Sequence, residues 1–172
     1  MPLHVAHTDG TAYWYVTRTE TGRDYPVFSR LPAVSRDAVP DLTEPHADEQ
    51  VLLDVNDLAV DQAFLSLGWS EVSPNGRLLA YSVDNSGDER YELRVRDLAT
   101  GLETEPVISG VGPGGTWVGD AWLFYLRVDD AWRPHQVWRH RLGSPDDALV
   151  LQEPDERFWV GVDASRDRRW AL

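Results

Sequence analysis

The histidines are the first candidates in this sequence for metal ligands or acid–base groups. Their spacings argue against both roles. His135 and His140 are five residues apart, which on a β-strand places them on opposite faces. His4 and His7 fit neither a strand pair nor the i, i+4 pair of a helix, and we expect them to lie in a frayed N-terminus. The chain has no Cys. We therefore predict no metal site and no bound cofactor.

Acidic residues form three short groups that resemble binding or catalytic clusters. The stretch DNSGDE (Asp84 to Glu89) suggests calcium binding, but it lacks the Asp-x-Asp-x-Asp-Gly order and the distant Glu of an EF-hand, so we predict a turn. A glycosidase needs two carboxyls roughly 5 to 9.5 Å apart across a sugar-sized cleft. Neighbours within one turn seldom reach this separation, so we interpret the other two groups as solvated loops. They are Asp129 with Asp130, and Glu153 with Asp155 and Glu156.

A serine nucleophile of the α/β-hydrolase type would stand in the pattern G-x-S-x-G. The nearest match is GWSEV (Gly68 to Val72), which lacks the second glycine. We therefore assign no catalytic residue to this sequence.

A binding role is conceivable for three arginines, Arg90, Arg94 and Arg96. Arginines along one strand face can form ion pairs with a further domain. A solvated strand face is the simpler interpretation.

The net charge of the 172-residue chain is −13 at neutral pH. A chain this acidic repels nucleic-acid phosphates, so we predict no nucleic-acid partner. The charge can attract cationic peptides or simply keep the protein soluble. No run of 18 apolar residues is present, and the first ten residues, MPLHVAHTDG, form no secretory signal. We expect no membrane contact, and the absence of Cys suits a cytoplasmic location.

The segment GDERYELRVRDLATG (Gly87 to Gly101) shows which elements must hold these side chains. Apolar and charged residues alternate along it with period two, which predicts a half-buried β-strand between two turns. The apolar face contains Tyr91, Leu93 and Val95, and the charged face, which we expect to point outward, contains Arg90, Glu92, Arg94 and Arg96.

This strand belongs to a unit that recurs along the chain. RLLAYSVD precedes it, and WLFYLRVD repeats the pattern with Tyr125 standing 44 residues after Tyr81. Three tryptophans, Trp69, Trp117 and Trp159, open successive units, and blade packing explains them better than ligand stacking. The turn SPNG joins the first two strands of a unit, and its Asn and Gly are residues that can take positive φ. SRDRRWAL aligns with SPNGRLLA two periods later.

Four short strands per period of about 40 to 50 residues are typical of a β-propeller blade. The predicted fold class is therefore all-β, a partial β-propeller of about three and a half four-stranded antiparallel blades. We place the blades at about residues 11–55, 69–110, 116–152 and 157–172, the last of them incomplete, and a short helical insert at 56–68. Because the last unit ends within its second strand, we expect the chain to be part of a longer protein. Its open blade faces predict self-association.

Long blocks of the sequence resemble the propeller of oligopeptidase B, a serine peptidase of the prolyl oligopeptidase type. Among them are YWYVTRTETGRDYPVFSR, LLDVNDLA and SPNGRLLAYSVDNSGDERYELRVRDLATG. The resemblance implies a seven-bladed ring followed by an α/β-hydrolase domain that carries the catalytic Ser, Asp and His. It also implies that the propeller covers the active site and admits only short peptides, and that the enzyme cleaves after Arg and Lys.

These expectations combine into a function for the chain. We expect a non-catalytic propeller portion of a serine oligopeptidase, inactive alone, whose partners are the hydrolase domain and, as substrates, short basic peptides. The alternative is a propeller scaffold that binds a protein partner and has no associated enzyme. A self-contained propeller hydrolase acting on glycans would need carboxylates converging on a central channel, and nothing in the sequence requires them.

Overall fold

The computed structural model describes residues 2–43 and 46–172. Within them the chain forms three four-stranded antiparallel sheets, in each of which the strands are neighbours in sequence order. Sheet 1 contains β1 (Leu3–Ala6), β2 (Ala12–Arg18), β3 (Val27–Pro32) and β4 (Gln50–Asp54). Sheet 2 contains β5 (Ser66–Val72), β6 (Leu78–Asp84), β7 (Tyr91–Asp97) and β8 (Ile108–Val111). Sheet 3 contains β9 (Gly115–Val118), β10 (Trp122–Val128), β11 (Pro134–Arg141) and β12 (Asp147–Gln152). The predicted all-β class and its four-stranded antiparallel units are confirmed.

The chain divides into two compact units, one that ends at Ala63 and one that covers Phe64–Leu172. Sheet 1 lies in the first unit, where Trp14, Val16 and Leu31 form a small core. A bidentate ion pair connects the long β3–β4 connection to this sheet. Arg18 of β2 donates from Nε and Nη2 to the two carboxylate oxygens of Glu49, at 2.8 Å each.

The N-terminal residues form a strand, so the predicted frayed terminus was wrong. His4 lies in β1, which pairs with β2, and His7 is buried at the end of β1. The backbone N–H of His7 donates to the carbonyl of Thr11 (2.8 Å), and Gly10 between them has a φ of +88°. Asp-Gly dipeptides favour tight hairpins of this kind, and TDGT contains one. This local signal explains why sheet 1 begins at Leu3 and not at residue 11.

Helix α1 has a single turn, Val55–Leu58, and is much shorter than the insert predicted at residues 56–68. Asp61 has a φ of +61°, which a right-handed helix does not allow. Farther along, Leu67 already belongs to β5, where it lies opposite Val83 of β6. Part of the apolar spacing that we interpreted as helical is therefore a strand, because pairing with β6 outweighs a weak local helical preference.

Sheets 2 and 3 share the main hydrophobic core of the second unit. The indole of Trp117, which has no exposed surface, donates to the backbone carbonyl of Glu71 at 3.0 Å and so joins β9 to β5. The predicted apolar face of β7 is confirmed, because all three of its residues are buried. The core consists of Ala80, Tyr91, Leu93, Val95 and Val111 from sheet 2 and Trp117, Leu123 and Tyr125 from sheet 3.

The SPNG turn joins β5 to β6, as predicted. Gly76 has a φ of +73°, whereas Asn75 does not take a positive φ. The side-chain oxygen of Asn75 accepts hydrogen bonds from the hydroxyl of Ser73 (2.8 Å) and the N–H of Arg77 (3.1 Å). These local bonds hold Asn75 in the turn, so only the glycine has to adopt the left-handed conformation.

Residues 157–172, predicted as the start of a further blade, contain one isolated bridge, between Ala164 and Ala171, and no strand. Their assignment to a blade stays a prediction. The only helix among residues 2–43 and 46–172 is too short to cross a bilayer.

Candidate functional site

The structure brings neither pair of histidines together as metal ligands. His140 is buried on β11 between two carboxylates, while His135, half-buried near the start of the same strand, has an Nδ1 without a hydrogen-bond partner. His7 bonds through Nε2 to the hydroxyl of Tyr15 at 2.8 Å. In the described part of the chain, no group of three or more His, Cys, Asp or Glu residues is arranged to hold a metal ion.

Asp84 begins a turn, as predicted for the DNSGDE stretch. Its carboxylate accepts the backbone N–H groups of Ser86, Gly87 and Glu89, at 2.8 to 2.9 Å. Burial by itself would raise the pKa of Asp84, but these donors together hold the pKa below its usual value. The carboxylate serves to close the loop between β6 and β7.

The two other acidic groups also serve local structure. Asp129 accepts from the N–H groups of Ala131 and Arg133 and from Arg133 Nε (2.9 Å), which closes the loop between β10 and β11. Asp155 is paired with the exposed guanidinium of Arg157. Asp130 lies in the same β10–β11 loop as Asp129 and is exposed to solvent. The Asp129, Glu153 and Asp155 carboxylates accept hydrogen bonds from their own turns.

GWSEV lies within strand β5 and makes no nucleophile elbow. Ser70 is opposite Tyr81 in regular antiparallel pairing, whereas an elbow requires a sharp strand-to-helix turn. Gly68 is needed for packing, because a Cβ there would lie 2.7 Å from the Tyr91 ring and 2.9 Å from the Pro113 backbone. The glycine thus has a steric function between sheet 2 and the loop that leads to sheet 3.

The three arginines of the charged face have partners within the chain and are also partly exposed, so pairing within the chain and contact with solvent occur together on this face. Arg94 pairs with Glu92 at 2.7 Å, and Arg96 donates to the hydroxyl of Tyr81 at 3.1 Å. Arg90 lies over the ring of Trp132, 5.4 Å from its centroid. The tertiary partners of these arginines lie up to 42 residues away in the sequence, which period-two patterning could not reveal.

The tryptophans that open the units differ in exposure. Trp117 is fully buried and Trp69 packs against the same core, so the packing role is confirmed for both. Trp159, in contrast, is 71% exposed. It lies in the segment after β12, outside the three sheets.

Exposed aromatic side chains gather where three connections of the second unit meet. The indole of Trp132 donates to the carbonyl of Asp88 at 2.6 Å, which joins the β10–β11 loop to the β6–β7 loop. Buried Arg133 donates from Nη1 to the carbonyls of Asp155 (3.0 Å) and Phe158 (2.8 Å), and so fixes the segment after β12 against the same loops. We call Trp132, Phe158 and Trp159 the aromatic end. Their exposed fractions, 48%, 56% and 71%, make this the candidate contact surface.

Comparison with known proteins gives the family. Residues 5–172 match the family described as "Prolyl oligopeptidase, N-terminal beta-propeller domain". The chain belongs to the prolyl oligopeptidase family. Its three four-stranded sheets thus belong to the N-terminal propeller domain of this family, and the family resemblance found in the sequence is confirmed.

The curated relatives of this propeller domain include two peptidases that match most of the chain. It is 38% identical to dipeptidyl aminopeptidase BI of Pseudoxanthomonas mexicana and 33% identical to protease 2 of Moraxella lacunata, over 92% of the chain in both cases. Oligopeptidase B from Leishmania major has a similar structure, with a TM-score of 0.84, 27% identity and 99% of the chain covered. The chain spans only 23% of the length of each of these three proteins.

Proposed function

We propose that this chain is a non-catalytic propeller portion of a serine oligopeptidase, and that the propeller admits short peptides to an active site in another domain. The observation that carries the proposal is the match to the family propeller over residues 5–172, together with the share of 23% that the chain represents in its relatives. In such an enzyme the hydrolase domain would supply a serine nucleophile, a histidine base and an orienting aspartate. The propeller would keep large proteins out of the active site and would take no part in the reaction itself.

The aromatic end is the surface that we assign to the hydrolase domain. Its three aromatic side chains are exposed, while the loops that present them are held by the Trp132–Asp88 hydrogen bond and the Arg133 contacts. Large aromatic side chains on a fixed backbone are typical anchors of protein interfaces, because little conformational entropy is lost when they bind. The partner that we propose for this surface is the hydrolase domain of the same protein.

The substrate preference has two candidate forms. The resemblance to oligopeptidase B implies cleavage after Arg and Lys, and the net charge of −13 favours the approach of such cationic peptides. The name of the Pseudoxanthomonas relative, dipeptidyl aminopeptidase BI, points instead to the removal of dipeptides. Both are hydrolysis of short peptides, and we place the protein in the cytoplasm.

The test uses the complete protein that contains this chain together with its hydrolase domain. We expect hydrolysis of a chromogenic peptide ending in Arg, inhibition by a serine-directed reagent, and no cleavage of a folded protein that has accessible Arg-containing loops. Replacement of both Trp132 and Trp159 by Ala should weaken exclusion and allow cleavage of longer peptides. The matched control replaces Trp170, which is 65% exposed but outside the aromatic end.

Two outcomes of this test would overturn the proposal. A complete protein with no peptidase activity would favour a propeller scaffold that binds a protein partner. Cleavage of folded proteins by the unaltered enzyme would show that the propeller does not restrict access.

A further inference from the structure

Sheets 2 and 3 contain the same arrangement of a buried tyrosine, a carboxylate and a cationic side chain, although the carboxylate of sheet 2, Glu103, is exposed to solvent. In sheet 2 the hydroxyl of Tyr81 donates to Glu103 (2.6 Å), and Arg96 lies 3.2 Å from the same carboxylate. In sheet 3 the hydroxyl of Tyr125 donates to Asp147 (2.5 Å), and His140 replaces the arginine. Each member of the second set stands 44 residues after its counterpart. The carboxylate is exchanged for a shorter one, and the cation position changes from a permanent charge to a titratable group.

His140 also joins the two sheets, which Arg96 does not do at the corresponding place. Its Nδ1 lies 2.7 Å from Asp147 of its own sheet, and its Nε2 lies 3.4 Å from Glu105. Glu105 belongs to the β7–β8 connection of sheet 2 and also accepts the N–H of Gly143, which follows β11, at 3.0 Å. His140 is 3% exposed, so water contributes little to satisfying either ring nitrogen.

The chemistry of the imidazole makes this link depend on protonation. A neutral ring has one N–H and can donate to only one of two carboxylates, whereas an imidazolium donates to both. The ionisable side chains near the ring, Tyr125 and Arg127, leave this need for two N–H donors unchanged. Burial and the Asp147 carboxylate raise the pKa of Tyr125, so its hydroxyl stays a neutral donor to Asp147. The guanidinium of Arg127 lies 6.0 Å from the ring centroid of Tyr125 and opposes this rise in pKa.

We propose that His140 is a protonation-dependent link between sheets 2 and 3. While the ring is doubly protonated, it connects Asp147 to Glu105 and holds the outer parts of the two sheets together. When the ring loses a proton as the pH rises, a ring nitrogen without hydrogen faces a carboxylate and the contact between the sheets weakens. Sheet 2 contains no such switch, because Arg96 stays charged over the whole physiological range.

The direct test is the protonation state of the ring in the folded 172-residue chain, measured by nitrogen-15 NMR of labelled histidine. At pH 6 we expect both ring nitrogens of His140 to carry hydrogen. A ring that is neutral and singly protonated at pH 6, with the protein folded, would overturn the proposal.

A stability test separates the link from the general effect of pH on an acidic protein. The urea midpoint is measured at pH 5.5 and pH 8.5 for the unaltered chain, His140→Arg and Glu105→Gln, with His46→Arg as a control that adds the same charge at an exposed histidine. We expect the decrease in midpoint between the two pH values to shrink by at least half in the first two variants and to persist in the control. An equal decrease in all four proteins would contradict the proposal.

Discussion

Gly76 and Arg168 occupy the same turn position 92 residues apart, and both have positive φ, +73° and +54°. In the first turn the N–H of Gly76 donates to the carbonyl of Ser73, and in the second the N–H of Arg168 donates to the carbonyl of Ser165, both at 2.8 Å. The serine hydroxyls accept from the N–H groups five residues later, at 3.0 and 3.1 Å. The turn between the first two strands is thus repeated after β12, which supports the alignment of residues 165–172 with residues 73–80.

Replacement of Gly76 by Ala tests the demand of this turn for a left-handed residue. We expect Gly76→Ala to lower the free energy of unfolding by about 1 kcal/mol, because a Cβ is disfavoured at positive φ. Chemical denaturation measures the change. Gly114→Ala is the matched control, since a Cβ there meets nothing within 4 Å and φ is not positive. Equal losses in the two variants would contradict the role assigned to Gly76.

The equivalence of Tyr81 and Tyr125 can be tested by removing their hydroxyls. Burial and the neighbouring carboxylate raise the pKa of Tyr81 to about 12, so the hydroxyl stays protonated and donates to Glu103. We expect Tyr81→Phe and Tyr125→Phe each to cost about 1 to 3 kcal/mol of unfolding free energy, the range for hydrogen bonds to charged groups. Tyr13→Phe serves as the control, because its ring stacks against Arg30 without a comparable bond to a carboxylate. A loss in only one of the two core variants would show that the positions are not equivalent.

Glu49 makes the stability of the first unit depend on acid pH. The hydrogen bonds from Arg18 lower the pKa of Glu49 to about 2, with a further contribution from Ser29, although burial opposes them. A depressed folded-state pKa stabilises the protein above the unfolded value of about 4.5, and this stabilisation is lost as the pH falls from there towards 2. The full effect is about 3 kcal/mol.

The measurement for Glu49 compares urea midpoints at pH 5.5 and pH 2.5. We expect Glu49→Gln to be less stable than the unaltered chain at pH 5.5 and closer to it at pH 2.5. Glu156→Gln, at an exposed position, is the control and should follow the unaltered chain at both pH values. A difference for Glu49→Gln that does not shrink in acid would show that the carboxylate is not linked to folding.

Strand β12 should promote self-association of the isolated chain. Leu149, Val150 and Leu151 are 46%, 50% and 52% exposed on the outermost strand of sheet 3. Uncovered apolar edge strands pair with other chains. We expect concentration-dependent association in sedimentation velocity, reduced by Leu151→Lys and unchanged by Leu102→Lys, a control at an exposed loop leucine. A monomer at high concentration would refute this prediction.

The repeat itself could be predicted from the sequence, because a spacing of 44 residues between Tyr81 and Tyr125 and the period-two pattern of β7 are local signals. Contacts between sheets could not be predicted in the same way. His140 and Glu105 are 35 residues apart, and nothing near either of them indicates that they meet. The aromatic end was missed for the same reason, since Trp132 and Asp88 come together only when the two loops pack.

The N-terminal strand and the helix show two further kinds of error. The Asp-Gly dipeptide before Thr11 predicts a tight hairpin turn. A strand before that turn, and hence the start of sheet 1, could therefore be predicted from the sequence. A helical turn is present at Val55–Leu58, but the predicted extent to residue 68 was too long, because short apolar runs fit both periods and only the pairing of Leu67 with Val83 decides between them.

The most direct test of the account is a peptidase assay of the purified 172-residue chain with a chromogenic substrate ending in Arg. Because we place catalysis in another domain, we expect no turnover above the rate without protein. Turnover that a serine-directed inhibitor abolishes would contradict this assignment. The chain would then contain a serine nucleophile, which neither GWSEV nor any other segment provides.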